Sequence, residues 1–214
     1  MNLQRLYAYR FRGVDQQAKS DVWVEIAQHV HRLLDEPVCV LDPAAGRGEF
    51  INAVPAAERW AVDKFAYAEG TYAPGVKAVV SDIFESDLPP EHFDGVFVSN
   101  FLEHLSSQDE VAEFIELLHR CTKPGGRIAI MGPNFRYCSA EYFDMADHTV
   151  ALTHRSVAEH LFAGGFEPDR IVPRFLPYSF TGILPPSPAL TRAYLRVPLA
   201  WRVLGKQFLV TARR

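Results

Sequence analysis

Two glycines and a series of carboxylates are spaced for chemistry at the ends of buried strands. Val38 to Leu41 is an apolar run without alternation, as expected of a strand covered on both faces, and Asp42 follows it directly. The turn Pro43-Ala44-Ala45-Gly46-Arg47-Gly48 comes next. Gly46 and Gly48 have no Cβ, so the backbone there can pass close to a ligand. Open α/β sheets hold nucleotides in such strand-turn-helix crevices. Fifteen residues beyond Gly48, Asp63 ends a second apolar run, Trp60 to Val62. That is near the spacing of a carboxylate that grips ribose hydroxyls, accepting two charge-assisted hydrogen bonds from the diol. A turn-forming Asp before Lys64 is the alternative. A dinucleotide fingerprint fits poorly, because its third glycine would fall at Ile51 and an acid precedes the glycines.

These groups need elements to carry them. Ser20 can cap a helix running to about Asp35, with Val22, Trp23, Ile26, Val30, Leu33 and Leu34 as its apolar stripe. A short helix is expected from Glu49 to Val54. Strands are expected at Val76–Val80, Phe93–Val98 and Arg127–Met131, with Asn100 at the exposed carboxyl end of the middle one. Ser107 to Glu110 reads as a capping box for a helix to about Arg120. Residues 132–148 read as a loop rich in aromatic and titratable groups. Thr153 caps a helix to Ala163, with Gly164 or Gly165 closing it. Phe166–Arg174 and Lys206–Ala212 read as the last strands.

The 214 residues suffice for one α/β domain, and 48% apolar with 22% charged side chains marks a globular chain. No apolar run reaches the ~18 residues of a membrane span, and Met1 to Tyr7 gives no signal core. Cys39, Cys121 and Cys138 fit neither a disulfide framework nor a zinc site, so a reducing, cytoplasmic setting is expected and no metal is assigned. Of the 22 Lys and Arg, eight lie between Arg170 and Arg214 with no Asp or Glu, leaving 14 basic against 26 acidic side chains in residues 1–169. An acidic main body argues against a nucleic-acid partner.

Taken together, V-L-D-P-A-A-G-R-G-E-F resembles motif I of class I S-adenosylmethionine-dependent methyltransferases, with Ala44 where the first glycine is usual. The segments F-D-G-V-F-V-S-N-F-L-E-H-L and K-P-G-G-R-I-A-I also resemble this family, so matching segments run in order over residues 38–131. The resemblance implies a seven-stranded, mostly parallel Rossmann-like sheet with helices on both faces and S-adenosylmethionine as cofactor. It implies that Asp42, Ala44, Gly46 and Gly48 lie under the methionine part and that Asp63 binds the ribose. Asp82 and the Ile83 backbone would take the adenine, with Asn100 close by. A single domain over 1–214 is expected: an N-terminal lid or helix (1–36), in which Arg10 or Phe11 could cover the cofactor, a core (38–174), a basic Pro-rich insertion (175–205) and a last strand (206–214).

The acceptor side is expected from the residues beyond the fourth and fifth strands. His148, next to Asp147, is the candidate base for a hydroxyl acceptor, since histidine changes charge near neutral pH. His104, Asn134 and Tyr137 are candidate substrate-binding residues; a structural role is the alternative for His104. In the insertion, Leu190–Arg196 and Leu199–Leu204 read as two short helices mixing Arg with Trp, Tyr and Leu. That composition suits an anionic membrane surface or an acidic acceptor, and equally a cover packed on the domain or on a second copy in a homodimer. Phe11 to Asp15, Gly132 to Asn134, Asp147-His148, Phe175 to Tyr178 and Leu204 to Gln207 resemble a bacterial subgroup associated with surface polysaccharide and glycosyltransferase functions. That implies a glycan or glycolipid hydroxyl as acceptor. Small-molecule N-methylation, and cofactor binding without turnover in a membrane-associated or scaffold protein, stay open as alternatives.

Overall fold

The computed structural model describes residues 2–178 and 187–214. Seven strands form one sheet: β1 Cys39–Asp42, β2 Glu58–Asp63, β3 Val76–Val80, β4 Phe93–Ser99, β5 Thr122–Pro133, β6 Glu167–Val172 and β7 Gln207–Arg213. Their order is β3-β2-β1-β4-β5-β7-β6. β1 to β5 pair in parallel, whereas β7 runs antiparallel to both β5 and β6. From β1 the chain moves outward to β2 and β3, then returns to place β4 on the other side of β1. The crevice at the carboxyl ends of β1 and β4 is therefore a topological switch point, the place where such sheets bind ligands.

The strands are apolar on both faces because helices cover both. On one face Leu41, Val96, Val98, Ile128 and Ile130 pack with Phe114, Ile115 and Leu118 of α3 (Gln108–Cys121) and with Val157 and Leu161 of α5 (His154–Ala163). On the other face Val40, Phe97, Ala129 and Met131 pack against Val22, Ile26 and Val30 of α2 (Gln16–Leu33). The expected α/β sheet with helices on both faces is borne out.

Several boundaries differ from the sequence reading. α2 begins at Gln16, not after Ser20, because the Asp15 carboxylate accepts the Ala18 N–H at 3.1 Å. Ser20 lies inside the helix and donates its hydroxyl to Gln16 O. A separate α1, Leu3–Arg10, precedes it, and Gly13 turns the chain between them at φ 79°. No helix forms at Glu49–Val54; a single irregular turn stands there, since Pro55 follows and Asn52 is engaged elsewhere. The capping box at Ser107 is half made: Ser107 Oγ accepts the Glu110 N–H, but Glu110 itself reaches Ser106. Residues 135–142, read as loop, form α4, Phe135–Tyr142, kinked at Cys138.

Two short helices, α6 Pro188–Leu195 and α7 Pro198–Leu204, fill much of the insertion. Arg192 clamps Glu25 of α2 with two hydrogen bonds, at 2.9 and 2.5 Å. Buried Trp201 and Phe175 enclose the His29 ring. The insertion's Pro185 and Pro186 lie outside the described residues. No helix of the described chain is long and apolar enough to cross a membrane.

Candidate functional site

The turn after β1 has the shape that its glycines allow. Gly46 and Gly48 take φ values of 53° and 79°, which cost a residue with a Cβ about 1–2 kcal/mol. At Gly48 an added Cβ would also lie 2.7 Å from Asn52 Nδ2 and 2.9 Å from Tyr72 Cδ1. Tyr72 donates its hydroxyl to Gly46 O at 2.9 Å, locking the turn from outside. Asn52 donates to Thr71 O at 2.9 Å and accepts from Ala73 N at 2.7 Å. At the usual first-glycine position, Ala44 donates its N–H to Asp42 Oδ1 at 3.4 Å.

Asp63, at the carboxyl end of β2, joins the two strand ends. Its Oδ2 accepts the Gly46 N–H at 2.8 Å and its Oδ1 the Phe65 N–H at 2.9 Å. Each oxygen retains a lone pair for a further donor, as a ribose diol requires. Burial pushes the Asp63 carboxyl up, against the pull of those two N–H groups. Asp42 is fully buried and driven well above its ordinary value, first by burial and then by the neighbouring Glu49 and Asp63. Asp42 and Asp63 thus place carboxyl oxygens together at the switch point, while Glu49 beside them is paired with Lys19 at 2.6 Å; hydroxyl and ammonium groups are complementary partners. The donor set fits a cationic nucleoside ligand.

Asp82 is exposed and caps the 3-10 turn Ile83–Glu85 through Phe84 N, while Ile83 is buried beneath it. Asn100 stands exposed beyond β4 at φ 49°, a left-handed conformation that Asn tolerates better than most residues.

The acceptor side is assembled by chain segments far apart in sequence. Arg10 of α1 forms an ion pair with Asp147, and its Nη1 donates to Asp147 Oδ2 at 3.2 Å. Burial raises the Asp147 carboxyl, but the Arg10 hydrogen bond and His104 outweigh it, and the net shift is downward. Tyr7 of α1 is held up at about 12, first by burial and then by Asp147, with Asp63 adding a smaller push. α1 therefore lies between the end of β2 and the loop that carries Asp147. A cleft lined by Asn2, Leu3, Gln4, Lys64 and Phe65 opens where α1 meets the end of β2.

His148 meets His104 edge-on, ring centres 5.0 Å apart, and Tyr142 at 4.8 Å. Its pKa falls to about 4, chiefly through burial, with His104 and Arg10 adding and Asp147 opposing. The ring is neutral at physiological pH. His104 Nδ1 lies 3.0 Å from the Asp147 carbonyl. Asn134 is a correction. It is fully buried as the N-cap of α4, its Oδ1 accepts Arg136 N, and its amide nitrogen is shared between Pro173 O at 2.7 Å and His154 Nδ1 at 2.9 Å. No donor is left for a substrate, because the group that reads as loop polarity in the sequence is a helix cap. Tyr137 is half-buried between His154, stacked at 6.3 Å, and the Arg174 guanidinium at 5.1 Å.

The sequence reading left Tyr7 and Tyr72 without roles at the site. Neither carries a local signal, because the partners of Tyr72 lie about 26 residues away and those of Tyr7 farther still.

Residues 41–130 match the family model described as a methyltransferase domain. No curated protein matches the chain. Among solved structures, a SAM-dependent methyltransferase from Archaeoglobus fulgidus is similar over 99% of this chain and 99% of its own, at 21% identity and a TM-score of 0.64. The N-methyltransferase NodS from Bradyrhizobium japonicum, solved with S-adenosyl-L-homocysteine, is similar over 87% and 84%, at 14% identity and 0.62. A Burkholderia thailandensis 1,6-didemethyltoxoflavin-N1-methyltransferase, solved with its substrate and S-adenosylhomocysteine, is similar over 90% and 78%, at 22% identity and 0.59. The fold is the Rossmann-like methyltransferase fold. The domain match over residues 41–130 and the neighbours solved with S-adenosylhomocysteine support an enzyme with S-adenosylmethionine as its cofactor.

Proposed function

We propose that the chain transfers the methyl group of S-adenosylmethionine to an oxygen atom of a small-molecule or glycan acceptor. The observation that carries the oxygen is His148. Its imidazole is neutral, and among the described residues its buried Nδ1 has no hydrogen-bond partner. A hydroxyl must lose its proton as the methyl arrives, and a neutral imidazole can take it, whereas an amine needs only to arrive unprotonated. In the transfer the sulfonium C–S bond breaks, an O–C bond forms, the electron pair returns to sulfur, and the proton passes to His148. The sulfonium is already an excellent leaving group, so the protein chiefly supplies position and exclusion of water.

Asp63 would hold the ribose, Gly46 and Gly48 the amino-acid tail, with Asp42 and Ala44 at its carboxyl-end turn. Asp82 and the Ile83 N–H would meet the adenine, with Asn100 at the edge of the crevice. His104 and Tyr137 would line the acceptor side, and α1 would cover both ligands, held by the Arg10–Asp147 pair. The polysaccharide-associated resemblance supports a glycan hydroxyl as the acceptor.

N-methylation is the second reading. It is favoured by the acidic groups of the acceptor side, Glu103 and Asp147, which suit a cationic amine, and by similarity to two N-methyltransferases. Incubation with methyl-labelled cofactor and a panel of hydroxyl and amine acceptors, with the methylated atom located by NMR, tests both. Oxygen transfer predicts that His148→Ala loses turnover but keeps cofactor affinity. Equal turnover in wild type and variant removes the base role.

A peripheral membrane contact is also proposed. Leu190, Leu199, Val203 and Leu204 are each more than half exposed, next to Arg196 and Arg202. Co-flotation with anionic but not neutral vesicles, lost in Leu199→Asp/Val203→Asp, is expected. No flotation at low salt refutes it.

A further inference from the structure

Beside the loop that carries Asp147 lies a buried carboxyl group with no side-chain donor on it. Glu103 is 3% exposed, and among the described residues no side-chain donor comes within hydrogen-bond distance of it; the nearest cationic group, His104 Nε2, is 4.0 Å away. Burial raises the Glu103 carboxyl, and a cation joining it would favour the ionised form. Two imidazoles turn toward the same point. One ligand atom from each of Glu103, His104 and His148 lies within 4.8 Å of the other two. His148 Nδ1 is buried and unpartnered among the described residues.

From this convergence we infer that Glu103, His104 and His148 bind a divalent first-row transition-metal cation, of which Zn2+ is the simplest probe. Two imidazoles and one carboxylate are the donor chemistry such ions take, and three protein ligands leave coordination positions open. The surrounding contacts are those of a metal-binding histidine. His104 Nδ1 faces the Asp147 carbonyl at 3.0 Å, which fixes the tautomer that frees Nε2 for the cation. Asp147 is in turn held by Arg10, so α1 orients the ligand indirectly. Around a tetrahedral ion at about 2.0–2.1 Å, ligand atoms stand about 3.3 Å apart, so the side chains close by up to about 1.5 Å.

A second cluster, Cys39, Glu58 and His92, has similar spacing and the opposite character. Glu58 already accepts from Lys77 Nζ at 2.7 Å, Trp60 Nε1 at 2.7 Å and His92 Nε2 at 3.2 Å. Its charge is met, and it serves as the internal control.

The inference deepens the oxygen-transfer reading, on which its functional meaning rests. With a cation held there, His148 would serve as its ligand and the cation would take over from the imidazole the task of making an acceptor hydroxyl more acidic; where the cation is absent, His148 remains the base.

The test is calorimetric titration of Zn2+ into chelator-treated full-length protein, in non-phosphate buffer, with S-adenosylhomocysteine titrated separately. One equivalent is expected to bind. His148→Ala and His104→Ala should each weaken Zn2+ affinity at least about tenfold while S-adenosylhomocysteine affinity changes less than about twofold. Glu103→Gln should do the same, with His148→Ala as the folding-safe variant. Absence of saturable binding, or binding that survives His148→Ala but is lost in His92→Ala, overturns the site. Zn2+ binding without S-adenosylhomocysteine binding upholds the site and instead sinks the methyltransferase reading.

Discussion

Gly48→Ala is the substitution whose cost the geometry states most fully. At φ 79° an alanine pays about 1–2 kcal/mol for the left-handed backbone alone. Its Cβ would also press on Asn52 Nδ2 at 2.7 Å and the Tyr72 ring at 2.9 Å. Neither neighbour can yield freely. Asn52 spans Thr71 O and Ala73 N, and Tyr72 is tied to Gly46 O. Displacing Asn52 strains two hydrogen bonds worth about 1 kcal/mol each, bringing the total to about 3–4 kcal/mol. Gly46→Ala is the comparison. Its backbone is also left-handed, at φ 53°, but the nearest atom to an added Cβ is Glu49 Oε2 at an ordinary 3.8 Å, so only about 1–2 kcal/mol is lost. For a chain of this length, each kcal/mol lowers the melting temperature by about 2–4 °C. Calorimetry should therefore show Gly48→Ala melting about 6–16 °C lower and Gly46→Ala about 2–8 °C lower. Cofactor affinity in Gly48→Ala should fall at least about tenfold, since little over 1 kcal/mol of misplacement suffices. If the two variants melt alike, or Gly48→Ala melts within about 2 °C of wild type, the reasoning about this turn fails.

Other outcomes rest on the same geometry. Asp63→Ala should weaken S-adenosylhomocysteine binding by about 10–100-fold in titration calorimetry, as charge-assisted hydrogen bonds are lost; unchanged affinity would remove its ribose role. Arg10→Ala leaves the buried Asp147 carboxylate uncompensated and should cost about 3 kcal/mol in urea unfolding. Adding Asp147→Asn should recover part of that, and purely additive losses would deny the coupling. The native Asp147 pKa is depressed, so this pair's stabilisation is complete above about pH 4 and is lost as pH falls through the lower native value. His148 and His29 are both held at about 4, mainly by burial, so the unfolded chain binds more protons than the native one from about pH 6.5 down to 4. Stability should fall over that window, by at most about 3 kcal/mol per ring. A urea midpoint flat between pH 7 and 4.5, or unaltered in slope by His29→Phe, would contradict it.

The sequence by itself determined the turn after β1 and the acidic ends of β1 and β2. Asp42, Gly46, Gly48 and Asp63 are legible because a strand, its turn and the next strand's end are local, and their residue types are dictated by burial, left-handed backbone and charge. The Thr153 cap and Gly164 stop were legible for the same reason, each depending on atoms within four residues. Only the tertiary structure decided what gathers around Asp147 and Asn134. Arg10 meets Asp147 across 137 residues, and the sequence separation carries no signature of that pairing. Asn134 could not be told from a substrate ligand until packing showed both its donors spent within the fold. The burial of Glu103 beside His104 and His148 likewise emerges only when folding strips water from it, because desolvation is a property of the packed chain and not of any residue in it.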